Sequence, residues 1–210
     1  SAQPASLTSP GGSSALDEET ARAELYGVLS QLYYAPPSPE LLSALRVAVT
    51  EAPMEGGFLQ EPWQQLVAAA RAQDDVAIAA EYDRLFGGVG KPEVFVYASH
   101  YLAGFLNEKP LARLRTSLDR LGLARGDTMP ETEDHVAYLC EVMRYLIAGD
   151  DMAVCNLTAQ RDFFAEHIQP WLPAMCNALE QHPAASFYAA VARLTRAFAA
   201  VEAQGFDMLD

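Results

Sequence analysis

Residues 129–146 read MPETEDHVAYLCEVMRYL, and this stretch bears on both the fold class and the function. Successive residues of a helix turn by about 100°, so Leu139, Met143 and Leu146 form the centre of one apolar stripe, with Val136 and Ile147 on one flank and Val142 on the other. That stripe is the core face of a helix. At its front stand Glu131, Glu133, Asp134 and His135, a compact cluster of acids and an imidazole. Thr128 followed three residues later by Glu131 has the form of a capping box, which predicts that the helix begins there and runs to Gly149. On such a helix Glu131, Asp134, His135 and Tyr138 share about a third of the circumference, with His135 nearest the apolar stripe.

The same three-and-four spacing continues outward in both directions. Leu16, Leu25, Leu29, Leu32 and Tyr33 carry it through a first helix that stops before APPSP at 35–39. Ser38 and Pro39 are an N-cap and first-turn pair for a second helix. Pro62 opens a third to Ala72, and Asp74 or Asp75 a fourth that ends at FGGVGKP, 86–92. The β-like run EVFVY, 93–97, is too short and isolated to found a sheet. Further helices are expected over 99–107, over 110–121 with Gly122 as the stop, over 151–168, through PWLPAMCNALEQ at 170–181, and over 184–203. The chain therefore reads as all-α: one globular domain of about ten helices over 16–210, after a disordered tail at 1–15. Four of the six residues at 87–92 are glycine or proline, making this the expected hinge or long loop.

Composition narrows the function classes. Half of the 210 residues are apolar, enough for a continuous core. With 14 basic and 28 acidic residues the net charge is −14, which repels nucleic acid and anionic membrane surfaces and attracts cationic ligands. Cys140, Cys155 and Cys176 lie far apart with no CxxC spacing, so reduced, packed thiols are expected. The first residues lack a basic start and an apolar run, and no window is long and apolar enough to span a bilayer; a cytoplasmic protein is the expectation.

The acid and imidazole cluster has four readings: a metal site, an acid/base pair, a surface for a cationic partner, or the cap of a helix. Metal would require HExxH, or Glu-x-x-His from paired helices, and the sequence has neither. Neighbours such as Asp134 and His135 diverge by a large angle on a helix, and no GxSxG, P-loop or GxGxxG accompanies them, so no enzyme signature is present. Carboxylates in a first turn also suit the positive end of the helix dipole with no further role.

Three other segments stand out. EYDRLFGG places Tyr82, Leu85 and Phe86 at i, i+3 and i+4, a core face. VYASHY carries Tyr97, Ser99 and Tyr101. In QRDFFAEHIQPWLPAM, His167 lies near a helix end, and Pro170 with Trp171 forces a break before a new helix. Taken in order, an aromatic-x-x-Leu-Phe helix, Tyr-x-Ser-x-Tyr, a Glu-x-x-Asp-His helix start and Phe-Phe-x-x-His-x-x-Pro-Trp resemble the TorD/DmsD/NarJ family of redox-enzyme maturation chaperones. The resemblance spans residues 16–200, and ETEDH and FFAEHIQPW are its most specific parts.

The resemblance implies an all-helical cytoplasmic chaperone, without catalysis, dedicated to one molybdenum- or tungsten-pterin oxidoreductase. Such proteins bind the client's N-terminal leader, commonly a twin-arginine signal peptide, and hold the apoenzyme until its cofactor is inserted. It implies leader recognition for Glu131, Asp134 and His135, to which Glu133 and Tyr138 add a carboxylate and an apolar edge. Tyr82, Leu85 and Phe86 match a signature of fold or function, as do Tyr97, Ser99, Tyr101, His167, Pro170 and Trp171. Thr132 stands where the family has proline, and Phe95 and Val96 replace prolines that often precede Tyr-x-Ser. Arginine forks suit bidentate carboxylate contacts beside aromatic faces, so Asp134 is expected to receive a leader arginine and His135 to make binding pH-sensitive near neutrality.

The rival expectation is a protein that binds a nucleotide or pterin, transiently a guanine nucleotide or molybdopterin, and delivers it to the apoenzyme. Its anion site would draw on Arg113, Arg115, Arg120 and Arg125, or on the GGVG loop, which ends a helix where a phosphate site should open one. A helical scaffold that merely dimerises is the third. Monomer and dimer are both open, and no resident metal or cofactor is expected.

Overall fold

Side-chain caps set where several helices begin. The Leu41 N–H donates to Ser38 Oγ at 3.1 Å, the Ala77 N–H to Asp74 Oδ1 at 2.8 Å and the Ala159 N–H to Asn156 Oδ1 at 2.9 Å, each satisfying a donor that the first turn of a helix leaves unpaired. The computed structural model describes residues 10–49, 52, 57–103, 108–123 and 131–209. Among them are ten α-helices: α1 (Pro10–Tyr34), α2 (Pro39–Val47), α3 (Gln60–Ala72), α4 (Asp75–Phe86), α5 (Ala98–Ala103), α6 (Glu108–Arg120), α7 (Val136–Ala148), α8 (Leu157–His167), α9 (Leu172–Gln181) and α10 (Phe187–Asp207), with a 3-10 turn at Gly57–Leu59. The all-α single-domain reading holds.

α1 lies along α7, while α10 packs on α9, α3, α4 and α8. Leu32, Tyr33, Leu66, Ile78, Met143, Leu146, Met175, Phe187 and Tyr188 are sealed from solvent in one core. That core includes Leu85 and Val94, on either side of 87–92, and the Val94 N–H donates to the Leu85 carbonyl at 3.0 Å. The segment at 87–92 is therefore a loop within one body. Gly88 and Gly90 hold φ of +95° and +98° there, which residues with a Cβ rarely adopt.

Polar groups inside the core tie distant helices together. Arg22 of α1 grips Glu202 of α10 through two bonds, 2.8 and 3.0 Å, and its guanidinium lies 5.4 Å from the Phe206 ring centroid. The last carbonyls of α1, which no helical N–H can reach, accept from phenols: Leu32 from Tyr188 at 2.5 Å and Tyr33 from Tyr82 at 3.0 Å. At the start of α10, the Glu81 carboxylate accepts the N–H groups of Ser186, Phe187 and Tyr188 at 3.0, 3.1 and 2.6 Å. All three thiols are free and buried.

Three helix boundaries depart from expectation. α1 starts at Pro10, inside the segment 1–15 expected to be a disordered tail; residues 1–9 lie outside the described residues. α8 starts at Leu157 rather than at Asp151. The Asp151 carbonyl accepts the Cys155 N–H at 2.7 Å and its carboxylate the Ala153 N–H at 3.1 Å, so this acid closes a preceding turn and Asn156 is the cap. α7 starts at Val136, not in the expected capping box, whose Thr128 lies outside the described residues. The backbone just before α7 is committed elsewhere. The Ala98 N–H donates to Asp134 O at 3.0 Å and the Val136 N–H to Val96 O at 2.8 Å, an isolated antiparallel bridge between Tyr97 and His135. The β-like run EVFVY thus pairs across 38 positions of sequence (Tyr97 to His135) with the approach to α7.

Candidate functional site

The residues at 131–135 form a turn ahead of α7, not its first turn, and this changes what each acid can do. Asp134 is 1% exposed. Its carboxylate accepts the Ser99 N–H at 3.0 Å, the Ser99 hydroxyl at 2.5 Å and the Thr132 hydroxyl at 2.6 Å. The threonine that replaces the family's proline thus adds a bond to the buried acid. With its bonds made inward, Asp134 offers no open face to a leader arginine, and the expectation that it receives one is corrected. Glu133 is also buried, and Arg115 of α6 holds it at 2.6 Å. Its position is that of an internal counter-ion.

His135 is the N-cap of α7. The Ala137 N–H donates to its Nδ1 at 3.0 Å, which places the ring proton on Nε2. Tyr97 and Tyr34 stand edge-on to the imidazole, with ring centroids at 5.1 and 6.1 Å. Burial pushes its pKa down to about 4, against the opposing pull of Glu131 and Asp134. The imidazole is therefore neutral through the physiological range, and it cannot supply the pH sensitivity near neutrality that the sequence suggested.

Beside this capped corner a furrow of about 330 Å³ opens between α1 and α7. Ser30, Gln31 and Tyr34 of α1 form one wall; Ala137, Tyr138 and Glu141 of α7 form the other; Glu131 and His135 close one end. The walls are held in register by the Ser30 hydroxyl, which donates to the Ala137 carbonyl at 3.0 Å. The two helices run antiparallel, so Tyr34 meets His135 at one end while Glu141 lies between one and two turns, ~9 Å, further along α7. Cavities that hold small ligands measure ~300–1,000 Å³, so this one accommodates one or two side chains rather than a whole peptide segment. Its lining is mostly apolar and includes two carboxylates, Glu131 and Glu141. Of the five expected binding residues, Glu131, His135 and Tyr138 line the furrow, while Glu133 and Asp134 do not. Ser30, Gln31, Tyr34 and Glu141 were not foreseen. Only Tyr34, an exposed aromatic beside the buried Tyr33, carried a local signal.

The other motif residues lie elsewhere. Tyr82 and Leu85 are buried, and Phe86 packs edge-on against Tyr82 and Tyr188, with centroids at 5.0 and 5.1 Å; this signature builds the fold. Tyr97 is half of the backbone bridge, and Ser99 holds Asp134. Tyr101 donates to Phe95 O at 2.7 Å and stacks on Trp171 at 5.8 Å. Trp171 Nε1 donates to His167 O at 2.6 Å, and His167 Nε2 meets the Ser117 hydroxyl at 2.7 Å. Pro170 sits in the break between α8 and α9. These residues lock α5, α6, α8 and α9 around the approach to α7.

Among the described residues no three of His, Cys, Asp and Glu converge as a metal ion would require. No helix among the described residues is long and apolar enough to cross a membrane. Of the arginines considered for an anion, Arg115 neutralises Glu133 and Arg125 lies outside the described residues. Arg120 borders a hollow of about 880 Å³ between α6 and α8, whose wall also carries Asp162 and Glu166. Their charge opposes an anion there.

The sequence profile of the nitrate reductase delta subunit family matches residues 57–177. The chain is also similar to the chaperone protein TorD of Vibrio cholerae serotype O1, at 31% identity over 193 residues, or 84% of this chain and 88% of that protein. It is similar to the chaperone protein TorD of Aliivibrio fischeri, at 27% over 194 residues, or 84% and 90%. With the chaperone protein TorD of Photobacterium profundum it shares 25% identity over 153 residues, or 68% and 71%.

Proposed function

Because this chain belongs to the nitrate reductase delta subunit family, in which the TorD chaperones are its relatives, we propose that it grips the N-terminal leader of a molybdenum- or tungsten-pterin oxidoreductase in the furrow between α1 and α7. It is a system-specific maturation chaperone and not an enzyme. In this reading it works in the cytoplasm, on a twin-arginine leader, and holds the apoenzyme until its cofactor is inserted and export can follow.

The observation that carries the reading is the pairing of an apolar furrow with carboxylates in its lining. A leader that joins arginines to an apolar stretch needs both. Tyr34 and Tyr138 offer aromatic faces to guanidinium or apolar side chains, and Glu131 and Glu141 offer charge. Exposed ion pairs are weak, ~0.2–1 kcal/mol, so the furrow has to exclude water from the contact for it to matter. The net charge of −14 draws a basic leader in and deters nucleic acid.

Calorimetry with the client's leader peptide tests this. Replacing both leader arginines by glutamine, or Tyr138 by alanine, is expected to weaken binding about tenfold or more, ~1.4 kcal/mol per factor of ten. Equal affinity for the arginine and glutamine peptides would overturn the reading.

A further inference from the structure

Glu141, on the α7 wall of the furrow, already carries a guanidinium. Arg144 places Nε and Nη2 at 3.0 and 2.6 Å from Glu141 Oε2, three residues along the same helix. The arm reaches this position by crossing α1 at Gly27. A Cβ added at Gly27 would meet Arg144 Cδ at 3.2 Å, closer than nearly all such contacts, so the absent side chain is what gives the arm its path. Gly27 lies one turn from Ser30 and Gln31, and the guanidinium therefore rests where the furrow runs out along α1.

The pair is poorly suited to a purely structural role. Both side chains are well exposed, 50% for Arg144 and 39% for Glu141, and an i,i+3 pair in water contributes little to a helix. The contrast lies inside the same molecule: the arginine that stabilises the fold, Arg22, is buried against Glu202 with 8% and 5% exposure. The Glu141 carboxylate is thus set up for an arginine, and the arginine that holds it is easily dislodged.

Building on the leader-binding reading, we propose that Glu141 is the acceptor for an arginine of the bound peptide, and that Arg144 is its internal stand-in, which swings away when the peptide arrives. Three consequences follow from the charges. A neutral side chain gains nothing at Glu141, because it would strand the carboxylate that Arg144 had neutralised. Lysine competes less well than arginine, because it lacks the planar fork. Arg144 re-enters as the peptide leaves, so release does not require a bare carboxylate to be exposed. No bond is made or broken other than hydrogen bonds and ion pairs.

The test uses the full chain and a fluorescein-labelled synthetic peptide with two adjacent arginines followed by an apolar segment, read by fluorescence anisotropy, with a two-lysine peptide alongside. Arg144→Gln keeps the length of the arm and removes its charge; it is expected to tighten binding about two- to fivefold. Gly27→Ala, which crowds the arm without altering any charge, is expected to shift affinity in the same direction. Glu141→Gln is expected to weaken binding about tenfold and to shrink the preference for arginine over lysine. Adding Arg144→Gln to Glu141→Gln should then bring no gain, because Arg144 acts only through that carboxylate. Both side chains are at least partly exposed, so the variants are expected to stay folded, which circular dichroism melts check.

Unaltered chain that fails to bind the two-arginine peptide overturns the leader-binding reading, and this inference with it. Binding by the unaltered chain that Arg144→Gln leaves unchanged or weakens, or that Glu141→Gln leaves unchanged, overturns the stand-in role alone.

Discussion

Asp134 and His135 sit side by side, and their atoms serve the fold first. Asp134 is held by Ser99 and Thr132; removing it strands a buried N–H and two hydroxyls. Asp134→Ala is expected to cost about 2–4 kcal/mol in urea denaturation, and at temperatures where the variant stays folded its peptide affinity should equal that of the unaltered chain. His135 gives the chain an acid-sensitive joint. Its folded pKa of about 4 lies below the ordinary 6.5, so between those values the unfolded chain binds more protons than the folded one. The stability contributed by the neutral imidazole is complete above pH 6.5 and is lost as pH falls toward 4, in total about 3 kcal/mol. Denaturation curves recorded across that window should show the slope, and His135→Asn, which keeps a capping oxygen, should flatten it. The sequence identified these residues as a cluster. It could not show that Ser99, 35 positions away, and Arg115, 18 positions away, already occupy two of the acids.

At the scale of helices, apolar spacing and caps were legible because both are local: Ser38 and Asp74 cap α2 and α4 where the sequence places them. The starts of α7 and α8 were not, because a backbone bridge to 96–98 and a turn at Asp151 outcompete the local signals. The furrow was half legible for a related reason. Its α7 wall follows from the helical periodicity of 136–146, whereas the turn at 131–135, read as helix from the sequence, is set by the backbone bridge to 96–98, and its α1 wall depends on how two helices more than a hundred residues apart lie together. Glu81 is a second long-range cap that no local motif announces. Two N–H groups share its Oε1 and a third uses Oε2. Glu81→Gln retains the first acceptor but turns an NH₂ toward the Tyr188 N–H. A loss of about 1–3 kcal/mol is expected in thermal or urea unfolding, with leader affinity unaffected at temperatures below the transition.

Across the whole molecule, the buried pair of Arg22 and Glu202 joins the first helix to the last, over 180 positions. Breaking such a pair from one side leaves a lone charge in the interior, and Glu202→Ala is expected to cost about 3–5 kcal/mol in urea denaturation. Restoring a match with Arg22→Met in the same chain should recover much of that loss, because two apolar groups tolerate an interior that one unpaired cation does not. A chain emerging from the ribosome makes the guanidinium near its beginning long before the carboxylate that neutralises it. Until the last helix emerges, α1 has to keep that charge in water, and the bed it shares with α7 stays unsettled. The furrow lies in that bed, so a half-made chain has no finished furrow, and its two walls are settled together only after synthesis has passed residue 202.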